Sequence, residues 1–349
     1  MNIQMYNMRL NAIFAGLVLL FFSLNTSFSQ QSDDSLLLKK VEEIDVSMNS
    51  IDDSDEDLYD NPVSFQTFYD DLLDDGEWIM ITKEEIEEEL NDGNGQSFSS
   101  EYIQEDEFVY VWKPSVSDED WRPYMNGRWV YTTNGWMWVS NYRWGWACFH
   151  YGRWWKSKEY GWVWMPGYIW APAWVKWRIS ENQIGWCPLS PKAKWRGGEG
   201  VTLSSYNYDN PGSQWVFVDK NNFVDEINNT NIVSTSQNNN LIKNSEAVLD
   251  MKYENGRLHG RGPDVRDIEN RTGKVINARE IELKQEKGQS LIGDNSVSIY
   301  RERFKRHEID KSGKMQKLDK PKTFRKSPKA KRIHKRIKIK MKNPPHKMH

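Results

Sequence analysis

The middle of the chain alternates in the rhythm of a β-strand. Trp136 and Trp138, Trp144 and Trp146, and Trp162 and Trp164 stand at i and i+2, the spacing that places two side chains on one face of an extended strand. Asn134-Gly135 separates Val130-Tyr131 from Trp136-Met137-Trp138, and an Asn-Gly pair between apolar runs predicts a hairpin turn. A second hairpin is predicted across Lys156 to Gly161. Upstream the period changes. Phe65, Phe68, Tyr69 and Leu72 fall at i, i+3, i+4 and i+7, with Ser64 placed to cap and Gly76 to terminate, which predicts a short amphipathic helix over 64–76. Trp78 to Ile81 then predicts a first strand, and Lys83 to Asp106 a loop or short surface helix. Alternation weakens in the Asn-rich stretch from Asn221 to Asn244. Gly262-Pro263 predicts a helix through Val265 and Ile268 that Gly273 ends, followed by a strand over Val275 to Leu283 with Ile281 and Leu283 on one side. Together these form a small satellite expected to pack on the main sheet.

The strand pattern repeats. Gly127-Arg128-Trp129 recurs as Gly152-Arg153-Trp154, and Gly135-Trp136-Met137-Trp138 as Gly161-Trp162-Val163-Trp164, an offset of 25 or 26 residues. Trp144 matches Trp170 at that offset, and Gly145-Trp146 returns as Gly185-Trp186. Two to three degenerate hairpin units follow, each able to bury its rings only against its neighbours. The expected fold is mainly β, a compact antiparallel sheet or small barrel of Trp-rich hairpin repeats, with a short N-terminal helix and disordered charged flanks.

Composition raises the question of what so many rings are for. Sixteen of the 18 Trp lie between Trp112 and Trp195. Trp154 and Trp155 are adjacent and must point to opposite faces of a strand, and Trp174 and Trp177 cannot both share an alternation with Trp170. Some indoles are therefore expected to be exposed or shielded by the flanks. In one reading they are a structural girdle covered by the N-terminal helix and by Trp215-Val216-Phe217-Val218. In the other they form a recognition face built from Trp129, Arg128, Trp154, Trp155, Arg153, Trp174 and Trp177. Residues 121–200 carry 11 Lys and Arg against Glu159, Glu181 and Glu199, so the folded part is basic and suited to an anionic polymer.

Charge also divides the chain. Residues 31–107 carry 26 acidic against 3 basic side chains, whereas residues 301–349 carry 20 basic against 4 acidic. Such blocks bring little apolar surface and repel themselves, so both are expected to be mobile flanks, unless the acidic segment folds back on the basic domain or meets the tail. At the start, Arg9 precedes an apolar run from Ala12 to Phe22, with Ser27 and Ser29 before Gln30, the pattern of a secretory signal peptide. The run is well short of the roughly 20 residues of a spanning helix. The expectation is an exported protein, periplasmic or at the cell surface, with no transmembrane helix after cleavage. The expected organisation is a signal peptide at 1–29, an acidic linker at 30–63, and the Trp-rich β-domain with its helix and acidic insert at 64–220. An Asn-rich linker at 221–260, the satellite at 261–285 and a basic disordered tail at 286–349 complete it. Outside the inner membrane the partners such a tail meets are acidic glycans, lipid headgroups or envelope proteins, with nucleic acid the least favoured.

These residues resemble a family of exported, Trp-rich bacterial proteins classed as a domain of unknown function. The resemblance rests on Phe68-Tyr69-Asp70-Asp71-Leu72, Val111-Trp112-Lys113-Pro114, Trp121-Arg122-Pro123-Tyr124, Trp144-Gly145-Trp146-Ala147, His150-Tyr151-Gly152-Arg153-Trp154, Trp170-Ala171-Pro172-Ala173-Trp174-Val175 and Gly262-Pro263-Asp264-Val265. It spans roughly 65–283 and implies an envelope or secreted component, without activity, ligand or catalytic residues to carry over.

Chemistry-bearing motifs are sparse. Cys148 and Cys187 each lie just past a Gly-Trp step, which suggests equivalent places on neighbouring strands and a disulfide, the alternative being two small buried thiols. His150 has no Cys or His at ligand spacing and is expected to be a strand residue hydrogen-bonded among indoles. Asp53, Asp55 and Asp57 imitate a calcium loop, but Leu58 and Ser64 occupy the positions that need Gly and Glu. With no phosphate-binding Lys loop or nucleophile elbow, no catalytic group, metal or cofactor is assigned. The expected role is a structural or interaction module of the cell envelope, and the alternative is a module binding an anionic glycan.

Overall fold

The computed structural model describes residues 64–90, 108–193, 195–196, 200–201, 211–248, 251–254, 257–260, 262–304 and 319–342; the expected leader and the acidic linker lie outside them. Helix α1 (Gln66–Asp71) leads into β1 (Gly76–Thr82), α2 (Lys83–Leu90) and β2 (Phe108–Pro114). Three hairpins follow: β3 (Gly127–Thr132) with β4 (Gly135–Ser140), β5 (Arg153–Ser157) with β6 (Gly161–Met165), and β7 (Val175–Ile179) with β8 (Gln183–Pro188). Helix α3 (Gly145–Cys148) separates the first two. A small ribbon joins β9 (Trp195–Arg196) and β10 (Gly200–Val201). Then come β11 (Val216–Asp219), β12 (Glu226–Ile227), α4 (Thr235–Lys243), β13 (Glu246–Val248), β14 (Met251–Glu254), β15 (Arg257–Gly260) and α5 (Val265–Thr272). The chain closes with β16 (Glu280–Lys284), β17 (Leu291–Ile292), β18 (Ser296–Tyr300), β19 (Arg325–Lys326) and α6 (Pro328–Lys342).

The strands assemble into sheets ordered β19-β1-β2-β6-β5, β12-β3-β4-β15-β14, β11-β8-β7-β13 and β16-β18-β17, none of them closed into a barrel. The repeat seen in the sequence is a structural unit. Each hairpin sets one Trp directly opposite another, Trp129 with Trp138, Trp154 with Trp164 and Trp177 with Trp186. In the first sheet the pairing continues across strands, because Trp78 lies opposite Trp112 and Trp112 opposite Trp164. Four indoles therefore form one transverse row on the inner face, the cross-strand arrangement in which large rings stabilise a sheet most directly. The three hairpins turn these faces to a common core, where the Trp129 ring lies 4.5 Å from Trp177 and 5.5 Å from Trp186 between centroids.

The outer face of the first sheet is buried as well. Ile79, Ile81, Val109, Val111, Trp155 and Val163 point away from the Trp row and form a second cluster with Ile86 of α2. A strand buried on both sides reads as a continuous apolar run, which is why Trp78-Ile79-Met80-Ile81 shows no alternation. Helix α2 begins in a reciprocal cap: Glu85 N donates to Thr82 Oγ1 at 3.1 Å and Thr82 N to Glu85 Oε2 at 2.8 Å. The third sheet is covered in the same manner, with α4 laying Leu241 and Ile242 over Trp215 and Phe217.

Several expectations change. Trp144 and Trp146 do not share a strand; they lie in and beside α3, where the chain must turn between two hairpins. A Cβ on Gly145 would fall 2.4 Å from Ser140 Cβ, so glycine permits the turn to pack there. Helix α1 stops at Asp71 and passes into a turn in which the Leu72 carbonyl accepts from Asp75 N at 3.3 Å and from the Trp112 indole at 3.0 Å, and Gly76 opens β1 instead. The Asn-rich linker holds α4 and the strands β12 to β15. The satellite forms as expected at its helix, with the Asp264 side chain accepting from Asp267 N at 3.0 Å and Gly273 at φ 67°. Its strand starts later, at Glu280, and joins β18 in parallel. It reaches the main sheets through Arg279, whose N donates to the Tyr131 carbonyl at 3.1 Å. The basic tail, expected to be disordered, contributes β17, β18, β19 and α6: its cations find acidic partners on α1, β1 and α2, which isolated sequence blocks cannot show. Among the described residues no helix is long and apolar enough to cross a membrane.

Candidate functional site

The indoles converge on one buried turn. Between α3 and β5 four successive backbone carbonyls are each met by a side-chain donor. Trp154 Nε1 donates to Cys148 O at 2.7 Å, Tyr124 Oη to Phe149 O at 3.0 Å, Trp174 Nε1 to His150 O at 2.9 Å and Trp164 Nε1 to Tyr151 O at 2.8 Å. A buried carbonyl left without a donor costs about 1–3 kcal/mol. The need for ring volume together with one N–H explains Trp rather than Phe at positions 154 and 164, whereas His150 O also accepts from Ala171 N at 2.9 Å. Elsewhere the same device ties distant segments down, Trp136 Nε1 to Pro263 O at 2.9 Å and Trp186 Nε1 to Tyr124 O at 2.9 Å.

Tyr124 is the hub. Its backbone is left-handed at φ 64°, a conformation that costs a non-glycine residue on the order of 1–3 kcal/mol. Besides its bond to Phe149 O, its hydroxyl accepts from Trp174 N at 3.1 Å, and its ring lies within 6° of parallel to Trp129. Arg153 is buried beside it, donating to Gly152 O at 2.8 Å and placing its guanidinium 3.4 Å over the Trp174 ring.

Burial sets the protonation of this region. His150 lies in the turn rather than on a strand, its Nδ1 2.9 Å from Ala171 O and its ring stacked on Trp170. Burial lowers its pKa from 6.5 to about 4, against the opposing effect of its backbone hydrogen bonds. The unfolded ring therefore binds a proton that the folded ring refuses, and the stability contributed by neutral His150 is complete above pH 6.5 and lost as pH falls toward 4. That amounts to about 3 kcal/mol. Urea unfolding at pH 7.5 and 4.5 should show the gap between the parent and His150→Gln narrowing as pH falls; parallel pH profiles would contradict the assignment.

Cys148 and Cys187 are free and buried, so the expected disulfide is corrected. The two Gly-Trp steps are not equivalent, since Cys148 ends α3 and Cys187 sits on β8 in a different apolar cluster. Burial raises the Cys148 thiol and pushes Cys187 up to about 12, against the pull of nearby Lys176 and Arg122. Neither thiol is expected to react with a thiol-exchange reagent in the folded protein, and both should react in denaturant; a bridged peptide in mass mapping is the contrary result.

The expected recognition face is not assembled. Trp129, Trp154, Trp155, Trp174, Trp177 and Arg153 are all buried, and only Arg128 reaches the surface, on β3 opposite Glu226. Trp155 does point away from Trp154, but α2 covers it and Glu89 accepts its indole N–H at 2.8 Å. All 17 Trp whose side chains are described are buried, and no described aromatic ring is exposed. Sequence reasoning missed Tyr124 and the four pinned carbonyls, for which the Pro123-Tyr124 and His150-Tyr151-Gly152 steps were the available signals. Among the described residues no cluster of three or more His, Cys, Asp or Glu is placed to hold a metal.

No curated protein and no solved structure matches the chain. Residues 95–193, which carry all three Trp hairpins and the pinned turn between them, match a family of unknown function, DUF6600.

Proposed function

We propose that this is an exported structural and interaction module of the cell envelope, not an enzyme, in which the Trp β-domain is a rigid scaffold and the charged segments make the contacts. The single observation that carries the reading is the burial of every described indole, many of them spent on holding loop carbonyls. A platform for sugar rings needs aromatic faces open to solvent, which this core does not offer. The apolar run after Arg9 supports export, and the acidic excess over residues 31–107 and basic excess over 301–349 support contacts with charged envelope partners. Intrinsic fluorescence tests the reading. The expected spectrum is blue-shifted, resistant to acrylamide and unchanged by peptidoglycan fragments or acidic polysaccharide. Emission that is readily quenched, or that shifts on adding glycan, would overturn it.

A further inference from the structure

The described C-terminal residues, from β19 into α6, pack against the first sheet. β19 pairs in parallel with β1, Ser327 N donates to Met80 O at 2.9 Å, and Ala330 is fully buried. Lys329 reaches Glu88 at 2.8 Å and Glu84 at 3.3 Å, and Arg325 reaches Glu77 at 2.9 Å. These contacts fix which side of α6 faces outward: Lys331, Arg332, Lys335 and Arg336 are exposed, and no ion pair joins them to any described residue.

This outward side is electrostatically unfavourable by itself. Lys331 and Lys335, and Arg332 and Arg336, are like-charged pairs at i and i+4, which destabilise a helix. From Lys320 to His349 the sequence holds 13 Lys and Arg and no acid. The four cations lie along a convex rod with no exposed apolar side chain between them, Ile333 and His334 being half-buried. Such a surface suits a plane of phosphates touched from outside, without a groove and without insertion. It is also held by a folded sheet, so ordering is not deferred to the moment of contact.

We propose that the exposed side of α6 is a docking surface for a bilayer rich in anionic phospholipid. The proposal rests on the scaffold reading only in placing the contact outside the indole core. The test is cosedimentation of the full chain with vesicles of phosphatidylglycerol and phosphatidylcholine, against phosphatidylcholine alone. The full chain should bind the anionic vesicles, in a salt-sensitive manner, and not the neutral ones. Combined Lys331→Gln, Arg332→Gln, Lys335→Gln and Arg336→Gln should weaken binding about tenfold or more. Lys331→Arg with Lys335→Arg should retain it, and an unchanged urea midpoint in both variants keeps folding out of the comparison. Three results would each overturn the proposal: no binding by the parent, undiminished binding by the Gln variant, or tighter binding to soluble dextran sulfate than to vesicles. Exposed indoles in the fluorescence experiment would overturn the scaffold reading instead, and leave this one standing or falling on the vesicles.

Discussion

Gly152→Ala is expected to destabilise the protein by on the order of 4 kcal/mol, enough to unfold a marginal domain. Gly152 adopts φ +63°, which already costs an alanine roughly 1–2 kcal/mol. The larger part is collision, since a Cβ there would fall 2.0 Å from Met165 O and 2.8 Å from Trp164 Nε1. Neither neighbour can retreat: the Met165 carbonyl belongs to β6, and the Trp164 indole is buried and bonded to Tyr151 O. Gly161 provides the control, because it has φ +75° but nothing within 4 Å of the place a Cβ would take, so Gly161→Ala should cost only about the backbone strain. Urea midpoints and near-ultraviolet dichroism compare the two. Equal losses would mean that the turn before β5 is not tightly held.

Trp164→Ala should cost about 3–5 kcal/mol, the usual penalty for removing a buried aromatic ring. The residue sits within the transverse Trp row and receives Phe68 edge-on at 5.2 Å. A finer comparison separates ring from hydrogen bond. Trp164 donates to Tyr151 O at 2.8 Å, whereas the buried Trp129 N–H has no acceptor among the described residues. Trp164→Phe leaves a buried carbonyl without its donor, and Trp129→Phe does not. The first should therefore be worse by about 1–3 kcal/mol, read from the same urea curves. Similar losses for both would refute the idea that indole N–H groups are what hold the turn.

The hairpins were legible because their signals are local. Asn134-Gly135, the i and i+2 Trp pairs and the repeated Gly-Arg-Trp steps each involve a few consecutive residues, and β3 to β6 follow them closely. The same reasoning failed at Trp144 and Trp146, since i and i+2 spacing specifies a face only if the chain is extended, and here it turns through α3. The charged blocks misled for a related reason. Judged alone, neither Glu84-Glu85-Ile86-Glu87-Glu88-Glu89 nor the stretch from Arg325 to Arg336 can bury enough to order itself, yet they order each other across the edge of the first sheet.

By itself the sequence determined the β class, the hairpin unit and its repeat, the capped satellite helix, and the polarity of charge between the two ends. Those properties depend on side-chain period, turn chemistry and composition, all carried by neighbouring residues. Only the tertiary structure decided which faces of the strands are covered. Trp155 is hidden by an acidic helix that precedes it by more than 60 residues, and the four carbonyls from Cys148 to Tyr151 are satisfied by donors from Tyr124 to Trp174. Burial and hydrogen-bond satisfaction belong to pairs of distant segments, and no local pattern encodes where the second member of such a pair comes to rest.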